Sequence, residues 1–214
     1  MATSRRRSRR PHRRPRPHSR TSTRFARWFR ALPVVVIALA LVTCAFLNGT
    51  STTLTRELFY PVSHAETVQE SAERHGVDPY LVCAVIKCES DWDESARSSA
   101  GAVGLMQLMP ETAQSLVDLG VVDGAAYDPA DLENAEVNIE YGCAYLGYLQ
   151  EHLSSQEEVV AAYNAGIGAV QGWLADGGTI SEEIEYAETR AYLERVLSAY
   201  EGYRLSYPGG ITAS

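Results

Sequence analysis

Residues 78–90, DPYLVCAVIKCES, decide how this chain reads. Asp78-Pro79 has the form of a helix start, with an N-cap carboxylate and a proline at the first helical position. Placed on a wheel at about 100° per residue, Ala84, Cys88, Leu81, Val85, Glu89, Val82 and Ile86 form one continuous arc. Lys87 and Cys83 fall outside it. Glu89 therefore projects from the apolar face at the C-terminal end of its helix. Poor solvation and the negative end of the helix dipole both favour the neutral acid there. A carboxyl kept protonated is what donation to a leaving group requires. On the wheel alone, a frayed and solvated terminal glutamate fits as well.

The pattern stays helical on both sides of this stretch. His64 to His75 is amphipathic and ends at Gly76, and Pro110 to Leu119 closes at Gly120. Asn134 to Leu153 carries Ile139, Cys143, Leu146 and Leu149 at helical spacing, and Glu157–Asn164 and Ile184–Tyr203 follow. No alternating run of strand length occurs, so the expected fold class is mainly α. The close of the chain, residues 206–214, reads as a loose tail.

Charge divides the chain sharply. Twelve of its 19 Lys and Arg, all Arg, lie in residues 1–30, which hold no acidic residue. The remainder has 7 basic against 27 acidic residues, a net of −20. The Arg-, Pro- and Ser-rich start predicts disorder, and alone it would read as a nucleic-acid arm. Its neighbour argues against nucleic acid as a partner. Residues 31–47, ALPVVVIALALVTCAFL, form an uncharged run just long enough to cross a bilayer. Arg-rich sequence directly before it is the positive-inside signature. The expected plan is a cytoplasmic tail (1–30), a single-pass anchor in the cytoplasmic membrane (31–47), a stalk (48–58), an extracellular domain (59–205) and the tail. Ser63-His64-Ala65 offers a cleavage site as an alternative, but far beyond the usual spacing.

Cysteines add one expectation. Cys83 and Cys88 point about 140° apart on their helix and cannot bridge each other. Cys143 lies on the apolar face of a later helix. The wheel places Cys88 in the core-facing arc, so a Cys88–Cys143 disulfide is expected, with Cys83 free. Without that bridge both are small apolar core residues.

Two further stretches carry polar chemistry. Gly101-Ala102-Val103-Gly104-Leu105-Met106-Gln107 is a glycine-marked loop where a backbone can approach a ligand or form a plain turn. It lacks the Lys-Ser/Thr of a phosphate loop. Ala162-Tyr163-Asn164-Ala165-Gly166 puts an aromatic ring and an amide at a helix end, suited to a sugar or to packing and a C-cap.

In order, Glu89-Ser90, Gly104-Leu105-Met106-Gln107, Ala162-Tyr163-Asn164-Ala165-Gly166 and Glu188-Thr189-Arg190-Ala191-Tyr192 closely resemble the soluble lytic transglycosylase (SLT) domain, a relative of goose-type lysozyme. Tyr60-Pro61, Asp128-Pro129, Asn138-Ile139, Gly142 and Tyr145-Leu146 are also similar to that family. The resemblance spans about Phe59 to Tyr203. It implies a lysozyme-like helical fold and a bacterial enzyme acting on peptidoglycan glycan strands. The reaction implied is non-hydrolytic cleavage of the β-1,4 bond between N-acetylmuramic acid and N-acetylglucosamine, leaving a 1,6-anhydromuramic end. Glu89 matches the acid/base residue. Ser90, Met106, Gln107, Tyr163 and Asn164 match groove positions, and Tyr192 one that orients Glu89. No cofactor and no metal are required. Glu94 and Glu185 stand where the family often has proline, which bears on loop shape.

Two alternatives accompany this reading. One is a hydrolytic muramidase on the same fold, and the other a non-catalytic cell-wall-binding scaffold. Cell-wall polymers are anionic, so a body of net −20 cannot hold them by long-range attraction. Binding must rest on stacking and hydrogen bonds.

Overall fold

The computed structural model describes residues 36–43, 56 and 58–212. The chain divides into two units, Met1–Thr50 and Ser51–Ser214. In the first, residues 36–43 are helical and exposed. Among the described residues no helix is long and apolar enough to cross a membrane. The basic tail and most of the expected anchor and stalk lie outside the described residues.

The second unit is helical: α1 (Ala65–Arg74), α2 (Pro79–Glu89), α3 (Pro110–Asp118), α4 (Ala135–His152), α5 (Gln156–Ala165), α6 (Ile167–Trp173), α7 (Ile180–Glu183) and α8 (Ala187–Ser206). Its described residues hold isolated β-bridges in the loop after α2, at Arg97–Val103 and Val103–Leu108, and no strand.

Local sequence sets the helix starts. The Asp78 side chain accepts a hydrogen bond from Tyr80 N, with Pro79 at the first helical position. Asn134 caps α4 by accepting from Glu136 N and Val137 N, and Ser155 caps α5 by accepting from Glu158 N. The second carboxylate oxygen of Asp78 accepts from the Tyr200 hydroxyl at 2.7 Å, so this cap also ties α2 to α8.

α2 is the central helix. Leu81 to Ile86 are all buried, because α8 and α1 both pack against it. A helix apolar all round is one enclosed by neighbours. This corrects the single-arc reading, which left Cys83 outside; Cys83 is fully buried. α4 packs on α1, α3 and α5, while α5 also meets α6 and α8.

The disulfide expectation is overturned as well: Cys83, Cys88 and Cys143 are all free thiols. Cys83 is the one whose ionisation is coupled to that of Cys143, whereas Cys88 feels the charge of Arg195 of α8. With both sides of α2 buried, the two cysteines serve opposite sides of the helix.

The end of the chain is not loose up to residue 212. The Tyr207 hydroxyl donates to Tyr60 O at 2.9 Å, Tyr80 donates to Tyr207 O, and Ile211 is buried. Tyr60 in turn lies against Gly202, where a Cβ would come within 2.1 Å of its ring. Both ends of the domain thereby close on the last turns of α8.

Candidate active site

Glu89 is the last residue of α2 and is half-buried. From α8, the Tyr192 hydroxyl donates to its Oε1 at 2.7 Å. Among the described residues no salt bridge reaches it. Burial pushes the carboxyl up to about 7, against weaker downward pulls from the Tyr192 hydrogen bond and the charge of Arg195. Burial also raises Tyr192, so its hydroxyl remains a donor. Near neutral pH such a carboxyl can both release a proton and take one back.

The loop after α2 is pinned beside it. The Ser90 hydroxyl donates to Leu105 O at 2.8 Å and Ile86 O at 3.2 Å. Asp91 and Trp92 follow in the left-handed region, with φ of 52° and 67°. Trp92 Nε1 donates to Tyr203 Oη at 2.8 Å, and Tyr203 donates to Pro61 O at 2.8 Å. That chain of bonds locks the reversal onto α8.

The glycine-marked loop is held from beneath by one buried amide. Asn138 of α4 donates through Nδ2 to Val103 O at 2.8 Å and Leu132 O at 2.9 Å, and its Oδ1 accepts from Met106 N at 2.8 Å. Gly104, at φ +79°, makes room for it. A Cβ there would lie 2.4 Å from Asn138 Nδ2 and 2.9 Å from Leu132 O. Gln107 is left-handed at φ 46°, and its Nε2 donates to Ala96 O and Gly104 O, each at 3.0 Å. From α5, the Tyr163 hydroxyl donates to Met106 O at 2.9 Å. Exposed Asn164 accepts at Oδ1 from Thr189 of α8 at 2.8 Å.

The structure thus joins Glu89, Ser90, Gln107, Tyr163, Asn164 and Tyr192 through one bonded frame. One expectation needs correction. The Met106 side chain is fully buried, with its Sδ 2.0 Å from where a Cβ on Gly142 would stand. It fills the space over that glycine, so only its backbone belongs to the loop surface. Tyr192, 2% exposed, meets Glu89 from within the core, the position of a residue that orients it. Asn138 and Thr189 had no role assigned from sequence. For Asn138 the available signal was an amide amid apolar positions of a helix, since a buried polar side chain needs partners. Among the described residues no group of three His, Cys, Asp or Glu stands close enough to hold a metal ion.

Comparison with known proteins identifies the family. The Transglycosylase SLT domain family matches residues 66–185, more than half of the 214-residue chain. The soluble lytic murein transglycosylase of Escherichia coli K12 is 32% identical over 157 residues, covering 70% of this chain and 24% of that protein. A membrane-bound lytic murein transglycosylase C of Edwardsiella ictaluri is 31% identical over 168 residues, covering 66% of this chain and 46% of its own. Among solved structures, the 70 kDa soluble lytic transglycosylase of Escherichia coli superposes with a TM-score of 0.64 at 30% identity, over 71% of this chain and 25% of that one. The lytic transglycosylase Slt of Pseudomonas aeruginosa, solved as an inactive Glu-to-Gln mutant, gives 0.63 at 32%, over 74% and 27%. The chain therefore spans about a quarter of the length of these soluble relatives. Its domain has their lysozyme-like helical fold, and the chain belongs to the transglycosylase SLT domain family.

Proposed function

We propose that this chain is a peptidoglycan lytic transglycosylase in which Glu89 acts first as acid and then as base. The observation that carries the reading is a half-buried carboxyl whose bonded partner is a neutral phenol and whose proton is held to about pH 7. Glu89 gives its proton to the glycosidic oxygen as the bond from the muramic C1 breaks. The substrate's own acetamido oxygen can stabilise the cationic C1. Ionised Glu89 then removes the proton of the muramic C6 hydroxyl, whose oxygen bonds to C1 and closes the 1,6-anhydro ring. No water is consumed, so no second carboxylate is needed to activate one. Ser90, Gln107, Tyr163 and Asn164 shape the strand-binding surface, and Tyr192 orients Glu89.

The inactive Glu-to-Gln mutant of the Pseudomonas aeruginosa relative supports a glutamate at the centre of this chemistry. Residues 31–47 act as the anchor, supported by the uncharged run behind an Arg-rich tail and by a relative named as membrane-bound. The domain then works on the outer face of the cytoplasmic membrane. Mass spectrometry of products from purified sacculi tests the reaction: anhydromuramic ends are expected from the wild type and none from Glu89→Gln. Reducing ends would mean hydrolysis, and wild-type release by Glu89→Gln would remove Glu89 from the mechanism. Resistance of the full chain to carbonate extraction tests the anchor, and a soluble form beginning at Glu66 would overturn it.

A further inference from the structure

Among the described residues of the domain few large apolar side chains are exposed, and the aromatic ones are Phe59, before α1, and Tyr186, at 54%. It does not stand alone. Trp173, the last residue of α6, meets it edge-to-face, with ring centroids 5.0 Å apart and planes at 85°. Two perpendicular rings form a corner, and half of the Tyr186 surface remains open to solvent.

The corner joins α6 to the start of α8, the helix that supplies Tyr192 and Thr189 to the site. Tyr186 is the N-cap of α8, Thr189 bonds Asn164 and Tyr192 bonds Glu89. These residues follow at three-residue intervals, each turned about 60° from the last, so the row winds from buried Tyr192 past Thr189 to exposed Tyr186. Tyr186 lies about 9 Å along the axis from Tyr192, at about 1.5 Å per residue, roughly the reach of a disaccharide. Trp173 ends α6, which starts just after the Asn164 segment. A domain of net −20 cannot draw an anionic polymer by charge, so an open aromatic surface on the helix that meets the acid is the kind of contact that can hold it.

We infer that Trp173 and Tyr186 form a sugar-stacking subsite that grips the glycan strand about one disaccharide away from the bond cleaved at Glu89. Its ligand is the apolar face of an N-acetylhexosamine ring, and it acts in affinity for longer strands. The inference rests on the proposed glycan-cleaving function.

The test compares wild type with Tyr186→Ala, Tyr186→Phe and Tyr186→Trp on a ladder of peptide-free peptidoglycan oligosaccharides from tetrasaccharide to octasaccharide. In the wild type, kcat/KM rises when one added disaccharide reaches the corner. Tyr186→Ala should remove most of that rise, about 10-fold, through KM and not kcat. Tyr186→Phe and Tyr186→Trp should restore it, since the ring and not the hydroxyl makes the contact. An undiminished rise in Tyr186→Ala, or an equal loss on every length, overturns the subsite. Calorimetric binding of the same ladder to Glu89→Gln reads the corner without turnover. Length-dependent binding lost in Glu89→Gln/Tyr186→Ala supports the subsite even if the wild type cleaves nothing, an outcome that would sink only the proposed reaction. Length-independent binding overturns it.

Discussion

Two carboxylates of this domain sit near its core, and their surroundings send them in opposite directions. Glu89 ends α2 with one neutral donor, Tyr192. Glu140, in the middle of α4, is buried among Ser71, Arg74 and His75 of α1 and its C-cap. The Ser71 hydroxyl donates to Oε2 at 2.7 Å, Arg74 pairs with the same oxygen, and His75 Nε2 lies 2.8 Å from Oε1. Burial pushes both carboxyls up. At Glu140 that push is outweighed by hydrogen bonds from His75 and Ser71 and the charges of His75 and Arg74, so it lies below the ordinary range. At Glu89 burial prevails and the carboxyl rises to about 7. Burial alone therefore does not make an acid; what matters is whether the hydrogen bonds and charges that accompany it outweigh it.

The sharpest way to break this contrast is to neutralise each carboxylate in turn. Glu89→Gln keeps size and hydrogen bonding but cannot deliver a proton, so muropeptide release should fall by about 10²–10⁴-fold while the fold persists. Glu140→Gln should do the reverse, costing about 2–4 kcal/mol of stability in chemical denaturation while the folded enzyme still turns over. The value sits at the lower end for a buried pair because the Arg74 side chain is 46% exposed. Lost turnover in folded Glu140→Gln, with intact turnover in Glu89→Gln, would reverse the assignment.

Stability should also respond to pH with opposite signs. A carboxyl raised from 4.5 to about 7 favours the folded state most below 4.5, and that contribution disappears as pH rises through 7. Glu89→Gln should therefore raise Tm relative to wild type above pH 7. Lowered Glu140 contributes above 4.5 and loses its contribution as pH falls through its folded value. Glu140→Gln should destabilise at neutral pH and progressively less in acid. Parallel pH curves for the two variants would show that their environments do not differ as described.

The loop frame gives a smaller expected effect. Gly104→Ala forces a side chain into left-handed backbone and onto Asn138 and the Leu132 carbonyl, costing about 2–3 kcal/mol. Thermal unfolding checks it, and a Tm within a degree of wild type would mean the loop is not held by Asn138. Smaller still, Tyr192→Phe removes a bond that lowers Glu89, so the descending limb of kcat/KM against pH should move upward, with about a 10-fold loss of rate. A limb that moves downward would contradict the role given to Tyr192.

The residues deciding fold and chemistry were legible where the signal is local. Asp78-Pro79, Asn134 and the apolar run after Asp78 announce α2 and α4, and Glu89 at the end of that run is the candidate acid. Several features depend on contacts distant in sequence. A helical wheel assumes one buried face, so it could not show that α2 is enclosed from both sides, nor that Cys83 rather than Cys88 lies on the Cys143 side. α6, with two glycines in seven residues, carries too weak a helical pattern to stand out. Met106 resembles a groove residue by motif, yet Gly142, 36 positions later, opens the hole its side chain fills. Tyr186 and Trp173 are separated by a loop and α7, and no pattern in the sequence pairs them.

The central claim is that Glu89 holds its proton to near neutrality because burial there outweighs the hydrogen bond from Tyr192 and the charge of Arg195. Carboxyl titration by carbon-13 NMR of glutamate-labelled protein, taken as the difference between wild type and Glu89→Gln, reads that proton directly. The account predicts one glutamate signal titrating near pH 7 that vanishes in the variant. A Glu89 signal titrating at the ordinary value near 4.5 would contradict it.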